Sequence, residues 1–289
     1  MRETVGRVAS LWRYPVKSMQ GEELDGAVLT GRGIAGDRAY ALVDRETGLV
    51  ASAKHPRKWE RLFRCSAAYL EEPRSGEPPP PVRITLPDGD AVESTDPQVD
   101  RVLSLALGRE VTLTTTAPAR PMREADRTPV DAAGTGEVIR REEMALAAPP
   151  GTFFDYGVLH LLTTGTLDRL RELYPAGRFD ARRFRPNLVV ATTEDGEAGF
   201  VEVGWLGRRL VVGEEARLEA IDPAPRCVVT TLPQDGLPRD PEILRTLARH
   251  SRAAGATLAP GVVFPAVAGI YASVLRRGEV RRGDALGIG

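Results

Sequence analysis

The chain has 289 residues, 42% hydrophobic and 27% charged, a composition that excludes disorder as the main state and leaves room for one large domain or two medium ones. Thirty-nine Lys and Arg against 40 Asp and Glu give a net charge of -1, which provides no general attraction to nucleic acid or an anionic membrane and leaves only a local basic pocket open. Two cysteines, Cys65 and Cys227, and three scattered histidines, His55, His160 and His250, are too few for a zinc cysteine cluster or an iron–sulfur centre, which need about four such ligands.

In chain order, Met1 to Gly6 lacks the apolar core of a signal peptide, and the longest apolar stretch, Val262 to Leu275, is broken by Pro265 and Gly269, so the chain reads as cytoplasmic. Val5 to Tyr14, Ala27 to Thr30 and Arg38 to Asp44 alternate in the manner of strands, with Gly or Asp turns between them. Glu71 to Pro81 is polar and proline-dense and reads as a surface loop, after which Val82 to Leu86 resumes as strand. Asp96-Pro97 predicts a capped helix with Val99, Val102, Leu103 and Ala106 on one face, stopped by Gly108. Ala117 to roughly Phe153 has no sustained period and reads as a crossing segment.

The second half opens with Val158 to Leu162 and a helix carrying Leu167, Leu170, Leu173 and Tyr174 on one face. Short strands are expected at Asn187 to Thr192, Phe200 to Val203, Arg209 to Val212 and Arg217 to Ile221, then a helix from Asp240-Pro241, then alternation from Gly269 to Leu286. The expected architecture is α+β and mostly β, with two β-rich, barrel-like halves and a few helices. The expected division is a β-barrel-like domain over 1–117, the crossing segment over 118–153, and a second domain over 154–289.

Gly31 to Gly36 matches the dinucleotide fingerprint letter for letter, but that motif works only where its last glycine opens a helix, and Asp37 to Asp44 alternates like a strand. It reads as a glycine-dense turn presenting Asp37 and Arg38. Cys227 follows Pro223, Pro225 and Arg226 and precedes a β-branched run, a setting that holds a thiol at a strand start with its thiolate favoured. On local sequence a plain buried cysteine is the better account of it, and for Cys65 that reading dominates. Arg185 and Asn187, on a proline-stiffened turn, suit an anion and a hydrogen-bonding heterocycle, or a solvated basic turn. Thr164 and Thr166 open a helix whose free N–H groups favour phosphate, or simply cap it. Only three basic residues are lysine, Lys17, Lys54 and Lys58, and Lys17 and Ser18 follow a proline turn.

Taken in order, Tyr14-Pro15-Val16-Lys17-Ser18, Gly36-Asp37-Arg38, Phe184-Arg185-Pro186-Asn187, Arg226-Cys227 with Thr230-Thr231, and Gly269-Ile270-Tyr271 through Gly283-Asp284 resemble the MOSC family, the molybdenum cofactor sulfurase C-terminal domain, preceded by its N-terminal β-barrel domain. The resemblance spans nearly the whole chain. It implies that Cys227 is the thiolate ligand of molybdenum in a molybdopterin cofactor. Lys17, Ser18, Arg38, Thr164, Thr166, Arg185 and Asn187 would hold the pterin and its phosphate, with Arg226 supporting the same pocket. At Thr164 and Thr166 relatives carry an Asp and a Ser.

The two-domain members it resembles reduce amidoximes and N-hydroxylated bases, so the expected activity is molybdenum-dependent reduction of N-hydroxylated compounds, a small-molecule substrate class. Two cysteines leave no internal iron–sulfur cluster, so electrons would come from a separate ferredoxin- or flavoprotein-type partner. The resemblance implies neither nucleic acid nor a membrane as partner, and no membrane anchor or pyridoxal-phosphate domain is expected. The alternative is a sulfur-carrier or cofactor delivery or storage protein in which Cys227 holds a persulfide or thiolate.

Overall fold

The computed structural model describes residues 3–129, 137–192, 199–257 and 260–289. Seven strands close into a barrel: β1 (Glu3–Arg13), β2 (Leu159–Thr163), β3 (Leu188–Thr192), β4 (Arg209–Val212), β5 (Ala216–Pro225), β6 (Val267–Arg276) and β7 (Ala285–Ile288). They run in the order β3-β2-β6-β5-β4-β7-β1, and the antiparallel pairing of β1 with β3, Gly6 opposite Thr192 through Leu11 opposite Leu188, shuts the ring. Closure leaves no long unpaired edge.

Strand β1 shows how the sequence fits this ring. Its inward residues switch from Gly6 and Val8 to Leu11 and Arg13, because a register shift between Val8 and Ser10 inserts one extra residue and reverses the phase of the alternation. A side chain at Gly6 would lie 2.4 Å from the Ala191 carbonyl, so glycine permits the closing strands to approach. The barrel is filled by Val8, Leu11, Leu161, Leu188, Leu218 and Ile270, among others.

Strands β2 and β3 are parallel, as a helical crossover requires, and α3 (Thr164–Leu173) makes that crossover. A second core lies between residues 16 and 113, where Met19, Leu42, Trp59, Leu62, Ile84 and Leu103 pack under α1 (Pro56–Phe63) and α2 (Val99–Leu107). Helix α4 (Glu242–His250) packs Ile243 and Leu247 against Leu167 and Leu170 of α3.

The mostly β, barrel-containing fold with few helices is as expected, and several elements differ. Residues 118–153 contain an antiparallel pair, Met122–Asp126 with Ile139–Glu143, whose partly buried alternation is too polar to read as strand; residues 130–136 of that segment lie outside the described residues. The expected strand at Phe200 to Val203 is a 3₁₀ turn, Val201–Trp205. Helix α1 was not expected; it is a single kinked element dominated by charge, with only Pro56, Trp59, Leu62 and Phe63 buried. Helix α2 begins at Val99, after Asp96 has formed a turn by accepting from the Gln98 N–H at 2.7 Å. No helix among the described residues is long and apolar enough to cross a membrane.

Candidate functional site

Loops at one end of the barrel converge on a cavity of about 110 Å³ lined by Lys17, Ser18, Arg38, Arg185, Asn187, Arg226 and Cys227. They come from the turn after β1, the glycine-dense turn, the approach to β3 and the end of β5. No helix follows Gly36; Arg38 itself follows as a left-handed residue with φ of 51°. Five non-glycine residues among those described have positive φ, and three of them, Ser18, Arg38 and Arg185 at φ between 51° and 65°, line this cavity. Strained backbone concentrated at one place marks a site whose side-chain directions are held by the surrounding structure.

The Tyr14 ring is the floor on which two of these residues rest. The Arg185 guanidinium lies 4.1 Å from its centroid and that of Arg38 4.8 Å, and the Tyr14 hydroxyl donates to the Pro186 carbonyl at 3.2 Å. Arg38 is neutralised by Asp37. Arg185 is not: its Nη1 is buried without a hydrogen-bond partner, and burial pushes its guanidinium down to about 10. Arg226 donates to the Phe184 carbonyl at 2.9 Å and the Tyr271 hydroxyl at 3.0 Å, while its Nε is likewise buried and unpartnered.

Six cationic side chains line the cavity, Lys17, Arg38, Lys54, Arg183, Arg185 and Arg226, against the single carboxylate of Asp155. That excess belongs to a chain of net charge -1, so the fold gathers positive charge here. Lys17 donates to Asp155 Oδ1 at 2.6 Å and to the Phe153 carbonyl at 3.0 Å, leaving one ammonium proton for a ligand. Burial lowers Lys17 to about 8 despite the opposing Asp155 charge. Burial pushes Asp155 up, but Lys17, Lys54 and Arg123 outweigh it and hold the carboxyl well below its ordinary value.

His160, on β2, is buried, and burial followed by the nearby Arg226 charge holds it neutral, well below its ordinary value. Its Nε2 lies 3.0 Å from the Ala268 carbonyl, so Nε2 carries the proton and Nδ1 accepts from Arg226 at 3.3 Å. Cys227 is half-buried with a free thiol, the first residue before a 3₁₀ turn, Val228–Thr231, where strand was expected. The hydroxyls of Thr230 and Thr231 bond back to the Cys227 and Val228 carbonyls at 3.0 and 2.7 Å, overriding β-branched propensity. Cys65 is fully buried elsewhere and donates to the Arg61 carbonyl. Among the described residues no three His, Cys, Asp or Glu side chains converge on a metal position.

Three expected contacts are differently engaged. Asn187 lines the cavity, but its amide donates to the Trp12 carbonyl at 3.2 Å and Asp37 Oδ2 at 2.9 Å and accepts from His160 N–H at 3.1 Å, leaving one Oδ1 lone pair for a ligand. Thr164 and Thr166 are not part of the lining. Thr166 donates to the buried Glu202 at 2.8 Å, Thr163 caps α3 by accepting from the Thr166 N–H, and the Thr164 hydroxyl accepts from Thr192 N–H at 3.4 Å. Lys54, Asp155, Tyr156, His160 and Tyr271 join the site without having been named as site residues; the rarity of lysine pointed to Lys54, and Tyr271 stood in the closing motif.

A closed β-barrel with a cationic cavity at one end and a lone cysteine in its wall defines the class. Residues 152–287 match the model of the MOSC domain and residues 5–76 that of the MOSC N-terminal beta barrel domain; the chain belongs to the MOSC family, and its function is related to the molybdenum cofactor in the MOSC manner. It is 24% identical to mitochondrial amidoxime reducing component 2 of Rattus norvegicus, over 98% of this chain and 83% of that protein. It is 23% identical to mitochondrial amidoxime-reducing component 1 of Mus musculus, over 98% and 82%. Among solved structures it is similar to the YUAD protein from Bacillus subtilis, at 12% identity and a TM-score of 0.46, covering all of this chain and 98% of that one.

Proposed function

We propose that this protein is a molybdenum-cofactor-dependent reductase of N-hydroxylated compounds, namely amidoximes, hydroxylamines and N-hydroxylated purines, drawing electrons from a separate ferredoxin- or flavoprotein-type donor. The observation that carries this reading is the pair of unpartnered buried guanidinium atoms, Arg185 Nη1 and Arg226 Nε, in the wall that also bears the Cys227 thiol. An unpartnered buried donor is costly to the fold by itself and is rationalised by an anionic ligand that accepts from it. The donor set fits the group: a soft thiolate for molybdenum, and guanidinium and ammonium groups for a phosphate.

In this reading Cys227 holds the metal, while Arg185, Arg226 and the remaining Lys17 proton receive the phosphate and pterin edge. Asp155 fixes the Lys17 ammonium, and Asp37 fixes Arg38. Asn187 ties β1, β2 and Asp37 together and so sets where the arginines stand. The cavity, about 110 Å³, is smaller than the roughly 300 Å³ and above that encloses a whole ligand, so a cofactor seats its anionic end here and side chains at the mouth move to admit the rest. The bound group supplies a centre able to exchange two electrons, and the net reaction takes up two electrons and two protons, breaks the N–O bond and releases water.

The test is metal and pterin analysis of protein made in a cofactor-competent host, followed by turnover of benzamidoxime with an artificial reductant. Molybdenum and pterin near one per chain with turnover support the reading. Folded protein without either overturns it, and a persulfide on Cys227 in that protein establishes the sulfur-carrier alternative instead.

A further inference from the structure

A second and larger cleft, about 1220 Å³, is lined in part by Tyr14 and shares no lining residue with the Cys227 cavity. Its walls include Trp12, Gly21, Arg64, Arg178, Gln234 and Pro238. Gln234 is 5% exposed, and neither its Nε2 nor its Oε1 has a hydrogen-bond partner. A carboxamide offers two donors and two acceptor sites, and leaving all of them unmet in a buried position is rare enough to require a reason.

The surroundings hold that amide in place without satisfying it. The Gln234 backbone closes a tight turn with Leu237 through reciprocal hydrogen bonds of 3.0 and 2.5 Å. The buried Arg183 fastens the segment from both sides, donating to the carbonyls of Thr230, Leu232 and Pro238 at 2.8 to 3.3 Å. Gly21 keeps the facing wall thin, since a side chain there would meet the Arg13 carbonyl at 2.2 Å and the Tyr14 ring at 2.6 Å. Trp12 is half-buried and presents an aromatic surface to the same cleft, while Arg64 and Arg178 stand exposed at its rim.

We propose that this cleft is a binding site for a planar ligand presenting an N–H donor beside a carbonyl acceptor, the edge carried by pyrimidines and by amides, which pairs with Gln234 and lies against Trp12. The complementary donor and acceptor satisfy both amide atoms at once, and an indole accepts the flat face of such a ring. The arginines at the rim favour forms that carry an anionic substituent. The site is independent of the cofactor reading, because neither Gln234 nor Trp12 touches the Cys227 cavity.

The experiment is titration of the full chain with uracil and with uridine 5′-monophosphate, read by calorimetry and tryptophan fluorescence. Trp59 and Trp205 are buried at 3% and 6% exposed, so quenching reports chiefly on Trp12. Saturable binding is expected, tighter for the monophosphate and weakened at least tenfold in Gln234→Leu, with Gln234→Glu failing to rescue because it lacks the donor. Thermal melting of Gln234→Leu at or above the parent shows that the variant folds. Absence of binding by both probes, or equal binding by a folded Gln234→Leu protein, overturns the assignment.

Discussion

The Lys17 ammonium stands 2.6 Å from the Asp155 carboxylate across 138 residues of sequence, and the two groups respond to burial in opposite ways. Burial leaves Lys17 with a proton that comes off at about 8, whereas Asp155, faced by Lys54 and Arg123 as well, stays ionised far into acid. The cavity therefore loses positive charge on the alkaline side while its one carboxylate is unchanged.

Anion affinity should accordingly fall as pH rises through about 8, measured with inorganic phosphate on cofactor-free protein. The stability contribution of Lys17 has the other sign: its folded value lies below the ordinary 10.5, so between those values the unfolded chain binds more protons and stability rises with pH. Lys17→Met should remove both inflections, and an unchanged phosphate profile in that variant would sink the assignment.

Asp155→Asn should destabilise the fold by about 2 kcal/mol, less than the 3–5 of a fully buried pair because the carboxylate is partly solvated; its side chain is 30% exposed. The parent's contribution from Asp155 is present above the ordinary carboxylate value of 3.8 and is lost progressively as pH falls from there through its lower folded value. Denaturant unfolding at pH 7 and pH 3 should therefore show the two proteins converging in acid.

The two cysteines should separate cleanly. Cys227→Ser removes the soft ligand and should abolish molybdenum retention and turnover with the circular dichroism spectrum unchanged. Cys65, fully buried with its thiol pushed up to about 12 by burial, should tolerate serine at a cost of about 1–3 kcal/mol and keep its metal. Normal turnover by folded Cys227→Ser protein is the result that would defeat the thiolate reading.

Gly269 has φ of 86°, and a side chain on it would lie 2.2 Å from His160 Nε2 and 2.4 Å from the Leu161 carbonyl. Its N–H also donates to the buried Glu202 at 3.0 Å. Gly269→Ala should lose more than about 2 kcal/mol through backbone strain and displacement of the imidazole, visible as a lowered denaturant midpoint. Gly48→Ala also faces a positive φ but meets nothing within 4 Å, so it should lose less, about 1 kcal/mol.

Local sequence determined most of the barrel strands, because alternation and turn glycines act over a few residues. The spans Arg209 to Val212 and Gly26 to Thr30 emerge almost residue for residue. The motif residues Lys17, Ser18, Arg38, Arg185, Arg226 and Cys227 were also legible, since they stand beside proline and glycine turns, and they do share one cavity. Tertiary structure decided the rest. Whether Thr166 faced a phosphate or a carboxylate depended on Glu202, 36 residues away, and whether Val228–Thr231 became strand or 3₁₀ turn depended on Arg183 drawing in the Thr230 and Leu232 carbonyls. Asp155 and His160 carry no local signature; His160 joined the site because β2 pairs with β6 and sets it opposite Tyr271, and Asp155 because the fold brings it to Lys17 across 138 residues. Charge and burial act through space, so the groups left unpaired at Arg185, Arg226 and Gln234 follow from the packing of distant segments and from no pattern along the chain.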